Sequence, residues 1–332
     1  MKRVLVVFVL LTLFAVAALP ALAGAASADN LAAPGWRQMF PTTVPLARND
    51  HAMAYDSTRG VAVLFGGTDG WTVFDDTWEW SSTSMSWSQK SPVHVPPRRY
   101  GHAMVYDEAQ GVVVLFGGNG PGVGDYMNDT YLWDGSDWTE AVTADAPEGR
   151  WLHAMAYDPN RQVVVLHSGQ QTSTQGPYGD TWEYANGNWV EQQITNPTPA
   201  RSGAGMAYDH QRQVMVLFGG DGDNGELNET FERTGSGDWV QVFPNRSPAQ
   251  RDRFGSVYYE HIGRTFIFGG LGDYYLNDTA VYNGQTWQGK IFNPSPSTRC
   301  CLAMVYDTSR QAVFLFAGAV NGNETADSWY FR

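Results

Sequence analysis

The sequence predicts an all-β fold, a six-bladed propeller with four antiparallel strands per blade. Two observations carry this prediction. One pattern occurs six times along the chain, and each copy contains four short runs of strand-forming residues separated by turn residues. The copies also recur every 48 to 51 residues, measured between their closing tryptophans, which are Trp36, Trp87, Trp138, Trp189, Trp239 and Trp287. Repetition at this period is typical of a propeller, in which each repeat forms one blade.

The clearest copy of the repeat covers residues 99–138. It begins with RYGHAMVYD, continues through an apolar run that ends in a pair of glycines, and closes with DTYLWDGSDW. The apolar runs are nearly continuous, as expected for strands that are buried on both faces between neighbouring blades.

This pattern resembles the kelch family, whose repeats carry the same glycine pair and downstream tryptophan. The glycine pairs stand at 66–67, 117–118, 219–220 and 269–270, and small residues replace the first glycine in Ser168-Gly169 and Ala317-Gly318. The resemblance covers essentially the whole chain after its first thirty residues. It implies that the first strand of each repeat is the innermost strand of a blade.

The start of the chain predicts export. A basic beginning, an apolar run and a series of small residues are typical of a secretory signal peptide at residues 1–23, with cleavage possible as late as residue 28. We therefore expect residues 34–332 to form the propeller, in a protein that is secreted to the extracellular space or periplasm without membrane insertion. The last repeat ends after its third strand, so the segment around Trp36 is predicted to supply the fourth strand and close the ring.

The charge and cysteine content exclude some classes of function. A formal net charge of −13 disfavours general binding to nucleic acid or to anionic membranes. Cys300 and Cys301 are adjacent, which leaves open a strained disulfide between neighbours or two buried thiols, and geometry favours the thiols. The sequence makes no prediction of oligomeric state.

Arginines repeat near the start of the first strand, where the kelch resemblance places them around the channel mouth. We assign Arg48, Arg99, Arg150, Arg201, Arg253 and Arg299 to this position. They could bind an anionic ligand, but acids open the third strands at Asp76, Asp129, Asp180, Glu229, Asp278 and Asp327. Pairing of arginines with acids is the favoured interpretation for most of the ring. Arg99 and Arg201 are the best candidates to face a ligand, because RSGAG at Arg201 resembles kelch segments that bind acidic peptides.

Aromatic residues in the loops after the glycine pairs are further candidates for ligand binding. They are Trp71, Tyr126, Tyr178 and Tyr274. Flat apolar rings beside Asn, Asp and Gly suit the recognition of a glycan or a protein.

Metal and cofactor sites are not predicted. His51, His102 and His153 occupy equivalent positions in three repeats, where packed, hydrogen-bonded histidines are favoured over metal ligands. Galactose oxidase, a kelch enzyme, needs a cysteine crosslinked to a tyrosine at its copper site, and the adjacent cysteines of the last repeat do not supply one.

The predicted function is a secreted binding or scaffolding role towards an extracellular protein or glycan. The alternative is a sugar-acting enzyme similar to the exported sialic-acid epimerases, working on an anionic substrate at the channel mouth. The repeats are unusually alike, whereas an enzyme site normally breaks the symmetry of one or two blades. The sequence therefore leans away from an enzyme.

Overall fold

The computed structural model describes residues 33–122, 124–171 and 176–332. Residues Pro34–Arg332 form one compact unit. Its described part contains six four-stranded antiparallel sheets, so the predicted six-bladed propeller is confirmed. The predicted signal peptide lies outside the described residues. Within those residues, no helix is long and apolar enough to cross a membrane.

The first five blades each run from the innermost to the outermost strand in chain order. Their strands are Ala52–Asp56, Val61–Phe65, Thr77–Ser81 and Ser86–Gln89 in blade one; Ala103–Asp107, Val112–Phe116, Thr130–Trp133 and Trp138–Ala141 in blade two; Ala154–Asp158, Val163–His167, Thr181–Ala185 and Asn188–Glu191 in blade three; Gly205–Asp209, Val214–Phe218, Thr230–Arg233 and Trp239–Val242 in blade four; and Gly255–Tyr259, Arg264–Phe268, Thr279–Tyr282 and Trp287–Lys290 in blade five. A hairpin of Asp221–Gly222 and Gly225–Glu226 follows the second strand of blade four, and the 3-10 turn Glu260–Ile262 lies in blade five.

Blade six joins the two ends of the propeller. Its three inner strands are Ala303–Asp307, Ala312–Val320 and Asn323–Phe331, and its outermost strand is Trp36–Met39. The N-terminal strand pairs antiparallel with the C-terminal one, with Trp36 opposite Phe331 and Met39 opposite Ser328. The N-terminal strand therefore closes the ring in this sheet, as predicted.

The second strand of each blade explains the continuous apolar runs. In blade one, Val63, Leu64 and Phe65 are all fully buried. Val63 and Phe65 pack towards blade two, while Leu64 packs towards blade six. Both faces of the strand are thus covered by neighbouring blades, and the core is a series of clusters between blades.

The repeated tryptophan hydrogen-bonds each blade to the one before it. The indole N–H of Trp138 in blade two donates to Oγ1 of Thr77 in blade one at 2.9 Å. Equivalent bonds join Trp189 to Thr130, Trp239 to Thr181, Trp287 to Thr230, Trp36 to Thr279 and Trp87 to Ser328. The regular spacing seen in the sequence is therefore a cycle of bonds between blades.

Candidate ligand-binding mouth

The mouth face is the end of the ring at which the six innermost strands begin. Here the residues just before each innermost strand form a single β-bridge with the loop that comes after the glycine pair. The bridges are Asn49–Thr68, Tyr100–Asn119, Trp151–Gln170, Ser202–Asp221, Asp252–Leu271 and Cys300–Ala319. The starts of the innermost strands and these loops therefore form one continuous surface.

Arginines occupy one equivalent position in every blade, but in blade five it is Arg251 and not the expected Arg253. Arg251 donates to the backbone carbonyl of Gly269, eighteen residues later, at 2.9 Å. Arg48, Arg99, Arg150, Arg201 and Arg299 make the same bond at the same spacing. The segment Arg251-Asp252-Arg253 offers two arginines, and this hydrogen bond identifies the first as the equivalent one.

These six arginines are buried, and they pair with five acids that directly precede a third strand and with Asp327, which lies within the third strand of blade six. Arg99 Nη1 and Nη2 donate to the two carboxylate oxygens of Asp129 at 2.6 and 2.8 Å, and Arg201 Nη2 donates to Glu229 at 3.0 Å. The other pairs are Arg48–Asp76, Arg150–Asp180, Arg251–Asp278 and Arg299–Asp327. All six arginine side chains are 0–1% exposed. We call these pairs the arginine clamps; they leave Arg99 and Arg201 no guanidinium surface for a ligand.

Six backbone hydrogen bonds close a ring around the channel, which we call the axial ring. Each member donates its N–H to the carbonyl of its counterpart in the preceding blade at 2.7 to 2.9 Å. The members are Asp50, Gly101, Leu152, Gly203, Arg253 and Cys301, with φ between 47° and 64°. That region favours glycine, so the ring imposes an uncommon backbone on the four members that carry a Cβ.

A pocket of about 150 Å³ lies against the axial ring, and we call it the axial pocket. It is lined by the six ring members and by the residue after each, namely His51, His102, His153, Ala204, Phe254 and Leu302. The ring positions carry an acid, a base, a cysteine, a leucine and two glycines. The blades are therefore alike in their frame and differ at the axis.

Asp50 and Arg253 line the axial pocket and give it its charge, and Asp252 lies beside it. Arg253 Nε donates to Asp252 Oδ2 at 2.9 Å, whereas Asp252 Oδ1 is buried without a partner among the described residues. Burial raises the pKa of both carboxyl groups to about 6, although the charge of Arg253 acts in the opposite direction. The axial pocket is therefore acidic and asymmetric. The sequence analysis did not predict such a site, because the repeats are so similar.

The three histidines lie between the axial pocket and the neighbouring blade. The His51 ring packs edge-on against Phe316, with ring centroids 5.6 Å apart. His102 and His153 pack in the same way against Phe65 and Phe116. The rings are packed as predicted, and the backbone groups of Phe316, Phe65 and Phe116 act on them as hydrogen-bonding partners, although none of these contacts among the described residues has the geometry of a good hydrogen bond.

These histidines are held neutral. Burial lowers the pKa of His51 and His153 to about 3, helped by the charges of Arg48 and Arg150, and it lowers the pKa of His102 well below its usual value. Among the described residues, no group of three or more His, Cys, Asp or Glu side chains is placed to share a metal ion. The histidines are therefore neutral donors and acceptors at neutral pH.

Cys300 and Cys301 form a disulfide between adjacent residues. The sequence favoured two buried thiols. Both side chains are buried as predicted, but the prediction that the thiols are free is wrong. That expectation assumed an ordinary backbone, whereas the axial ring holds Cys301 at φ 61°, in the left-handed region. The disulfide lies at the wall of the axial pocket through Cys301.

A groove of about 510 Å³ lies between the mouth loops of blades one and two, and we call it the mouth groove. Trp71, Tyr100, Asn119 and Tyr126 are among the residues that line it. Trp71 is 96% exposed, while the Asp69 carboxylate accepts hydrogen bonds from the backbone N–H groups of Trp71 and Thr72. An apolar ring is therefore held at the surface on an ordered turn.

The other predicted aromatics lie elsewhere. The guanidinium carbon of Arg150 is 4.2 Å from the ring centroid of Tyr178, so that tyrosine covers an arginine clamp. Tyr274 is exposed on the loop of blade five and is outside the mouth groove. Of the four aromatic candidates, the structure brings together Trp71 and Tyr126.

Sequence reasoning missed Asp50, Tyr100 and Asn119. Aligning the repeats on the arginine would have found Asp50, because the position two residues after it reads Asp, Gly, Leu, Gly, Arg and Cys. Tyr100 and Asn119 carried no separate signal. Their contact, a bond from Asn119 Nδ2 to the Tyr100 hydroxyl at 2.6 Å, joins two segments across a β-bridge.

Comparisons with known proteins agree with this architecture. A family model described as the Attractin/LZTR1 beta-propeller matches residues 28–272. The chain is also similar to Mei4-dependent protein 6 of Schizosaccharomyces pombe (strain 972 / ATCC 24843), with 27% identity over 135 residues. That match covers 37% of this chain and 19% of the length of the yeast protein.

Proposed function

Because this chain belongs to the Attractin/LZTR1 beta-propeller family, we propose that it is a secreted binding or scaffolding protein that recognises a partner protein through its mouth face. Propeller domains of this type typically mediate protein binding. Export is supported by the basic, apolar and small-residue pattern at the start of the chain. The net charge of −13 supports a protein partner over nucleic acid.

The observation that carries this proposal is the exposed ring of Trp71 at the mouth groove. A tryptophan that is 96% exposed costs hydrophobic free energy in water, and hot spots of protein interfaces are enriched in this residue. The bonds to Asp69 fix the Trp71 turn before a partner arrives, which lowers the entropy lost on binding. Tyr100 and Asn119 add polar groups beside the apolar ring.

Replacing Trp71 with alanine should weaken partner binding. The purified protein is screened against arrays of extracellular proteins and of glycans, and the affinity of each ligand found is measured for wild type and Trp71→Ala. We expect a loss of at least tenfold, because a central aromatic anchor typically contributes about 2 kcal/mol or more.

Phe243→Ala is the matched control, since Phe243 is an aromatic residue that is 83% exposed and is outside the mouth groove. Its affinity should equal that of wild type. Equal loss in both variants, or no loss in Trp71→Ala, would reject the mouth groove as the binding site. A glycan ligand lost with Trp71 would keep the site and change the class of partner.

The axial pocket favours one second candidate, an enzyme that acts on a sugar. Asp50 lines it and Asp252 lies beside it, and burial raises the pKa of both carboxyl groups to about 6, which suits general acid–base chemistry. Its excess of carboxylates does not suit the anionic substrate of a sialic-acid epimerase. Turnover of a neutral sugar by wild type, followed by NMR and abolished in Asp50→Asn, would establish this alternative, whereas turnover of a sialic acid would contradict the charge argument.

A further inference from the structure

A second pocket on the axis, of about 230 Å³, lies at the end of the channel opposite the mouth face, and we call it the base pocket. Its lining includes the tyrosine at the fourth residue of the innermost strand in every blade. These residues are Tyr55, Tyr106, Tyr157, Tyr208, Tyr258 and Tyr306. Methionines from five of the same strands also line the pocket. The base pocket therefore offers a ligand six aromatic rings and an apolar wall.

The tyrosine hydroxyls are engaged by the preceding blade. The Tyr55 hydroxyl donates to Asp307 Oδ1 at 2.8 Å, and the Tyr106 hydroxyl donates to Thr58 Oγ1 at 2.7 Å. The other four hydroxyls find their partners in the preceding blade in the same way. The tyrosines are therefore held in place before a ligand arrives. Because their hydroxyls are already bonded, they offer a ligand aromatic carbon and few free hydrogen-bonding groups.

The charged groups that line the base pocket are acidic, apart from one histidine. They lie at the position directly after each innermost strand, which is Ser57, Glu108, His210, Glu260 or Thr308 in the five blades that contribute it to the lining. Glu260 Oε1 lies 2.7 Å from His210 Nδ1, whereas Glu108 is exposed and makes no ion pair within the described residues. Blades two and five face each other across a ring of six, so the two carboxylates stand on opposite sides of the axis. The pocket therefore suits a positive charge.

The arginines of the neighbouring turns are bonded to other acids. Arg59 pairs with Asp56 and Glu79, and Arg161 and Arg212 make the equivalent pairs in blades three and four. Neither lysine nor arginine is among the described residues that line the base pocket. A cation in the pocket would therefore meet no guanidinium group that competes for the carboxylates.

We propose that the base pocket binds a quaternary ammonium group, held against the tyrosine rings with its charge balanced by Glu108 and Glu260. A cation is attracted to the face of an aromatic ring, and cages of aromatic side chains recognise quaternary ammonium groups in this way. The methyl groups that surround the nitrogen suit the apolar wall. The site goes beyond the proposed function, because it does not depend on the mouth groove.

Other cations fit the base pocket less well. A primary ammonium group carries three N–H donors, which would be left unpaired among tyrosines whose hydroxyls are already engaged. A metal ion would need charged oxygen ligands, but burial raises the pKa of Tyr208, Tyr258 and Tyr306 to about 12 and keeps these phenols neutral. The volume of about 230 Å³ holds roughly seven non-hydrogen atoms, which is the size of choline.

Matched small molecules test the charge and the methyl groups separately. Binding of choline to the purified chain is measured by calorimetry at pH 7.5. The controls are dimethylbutanol, in which a carbon atom replaces the ammonium nitrogen of choline, and ethanolamine, which has a primary ammonium group. We expect wild type to bind choline and to bind both controls at least about tenfold more weakly.

Phosphocholine separates two sources of the ligand, a free quaternary ammonium compound and the headgroup of a lipid. Phosphocholine that binds as tightly as choline identifies a headgroup as the source. Weaker binding of phosphocholine identifies a free cation, because the carboxylates of Glu108 and Glu260 would repel its phosphate.

The variants Tyr157→Phe and Tyr157→Leu isolate the contribution of an aromatic ring. Both lose the hydroxyl that accepts from the backbone N–H of Ala109, but only the leucine variant loses the ring. We expect Tyr157→Phe to bind choline nearly as tightly as wild type, and Tyr157→Leu to bind it about fivefold more weakly than Tyr157→Phe. Trp71→Ala should leave choline binding unchanged, so failure of the mouth groove does not affect this test.

The double variant Glu108→Gln/Glu260→Gln tests the charge without altering the buried core, and so stands even where Tyr157→Leu does not fold. It should reduce the affinity for choline by at least about threefold. Glu191→Gln is the control, because Glu191 is exposed on the outermost strand of blade three and should leave the affinity unchanged.

Melting temperatures establish which variants are folded. The proposal would be overturned by a folded wild type that binds no choline, or by either control molecule binding as tightly as choline. Equal affinity of the wild type and the glutamine double variant, or of folded Tyr157→Leu and Tyr157→Phe, would overturn it as well.

Discussion

Deleting residues 34–40 from the full chain is expected to open the propeller. The deletion removes the strand Trp36–Met39 and leaves the backbone of Asn323–Phe331 as an unpaired edge. It also removes a tryptophan that is 1% exposed between blades five and six. We expect the cooperative thermal transition to be lost or the chain to aggregate, as followed by circular dichroism and light scattering.

The single variant Trp36→Ala separates packing from strand pairing. The Trp36 ring lies 4.8 Å from the Phe268 ring and donates its N–H to Thr279, so truncation should cost about 3–5 kcal/mol. Phe40→Ala is the control, because Phe40 is 81% exposed directly after the strand and should change little. A deletion variant that melts like wild type would show that blade six closes without the N-terminal strand.

Replacing Arg99 with alanine is expected to destabilise the propeller by about 3–5 kcal/mol, because it leaves a carboxylate without its buried partner. Arg99 makes two bonds to Asp129 and further bonds to the carbonyls of Gly117 and Pro97. Urea unfolding followed by tryptophan fluorescence measures the loss.

Arg98→Ala is a matched control from the same segment. Its side chain is 53% exposed and contacts Asp75 at 3.5 Å, so its loss should change stability by less than about 1 kcal/mol. If Arg99→Ala unfolds like wild type while ligand binding is abolished, Arg99 belongs to the ligand site and the structural role assigned to the clamp is wrong.

Two of the clamps, Arg150–Asp180 and Arg299–Asp327, also make stability depend on pH. Burial would raise the pKa of Asp180, but the hydrogen bonds and the charge of Arg150 outweigh it and lower the pKa below its usual value. The pKa of Asp327 is lowered in the same way by Arg299. A carboxyl group with a lowered pKa stabilises the fold above the unfolded pKa, and that contribution is lost as the pH falls through the folded pKa. The stability that these two clamps contribute is therefore present at neutral pH and lost in strong acid.

The fold was readable from the sequence because each feature of the frame is repeated. The tryptophan, the Thr or Ser of the third strand and the arginine each recur in six copies, and each makes the same bond in every blade. Such bonds follow from residue type and spacing alone. The pairing of arginines with acids could be inferred for the same reason, from matched numbers.

The candidate sites were harder to read because they lie where the repeat varies. The sequence analysis assigned Arg253 to the clamp position, which is held by Arg251 two residues earlier. Only the hydrogen bonds distinguish the two arginines, because Arg253 donates its backbone N–H to Gly203 and its side chain to Asp252. Asp50 has no motif of its own and acquires its environment from six blades that meet at the axis. The disulfide at Cys301 depends on a backbone conformation that no local pattern signals.

Hydrogen–deuterium exchange of the protein with a bound partner tests the central proposal, recognition at the mouth face, most directly. The loop at residues 67–76, which carries Trp71, should exchange more slowly in the complex. The turns at residues 57–60 and 108–111 lie at the opposite end of the innermost strands and should be unchanged. Slower exchange at those turns, with the Trp71 loop unaffected, would contradict recognition at the mouth face.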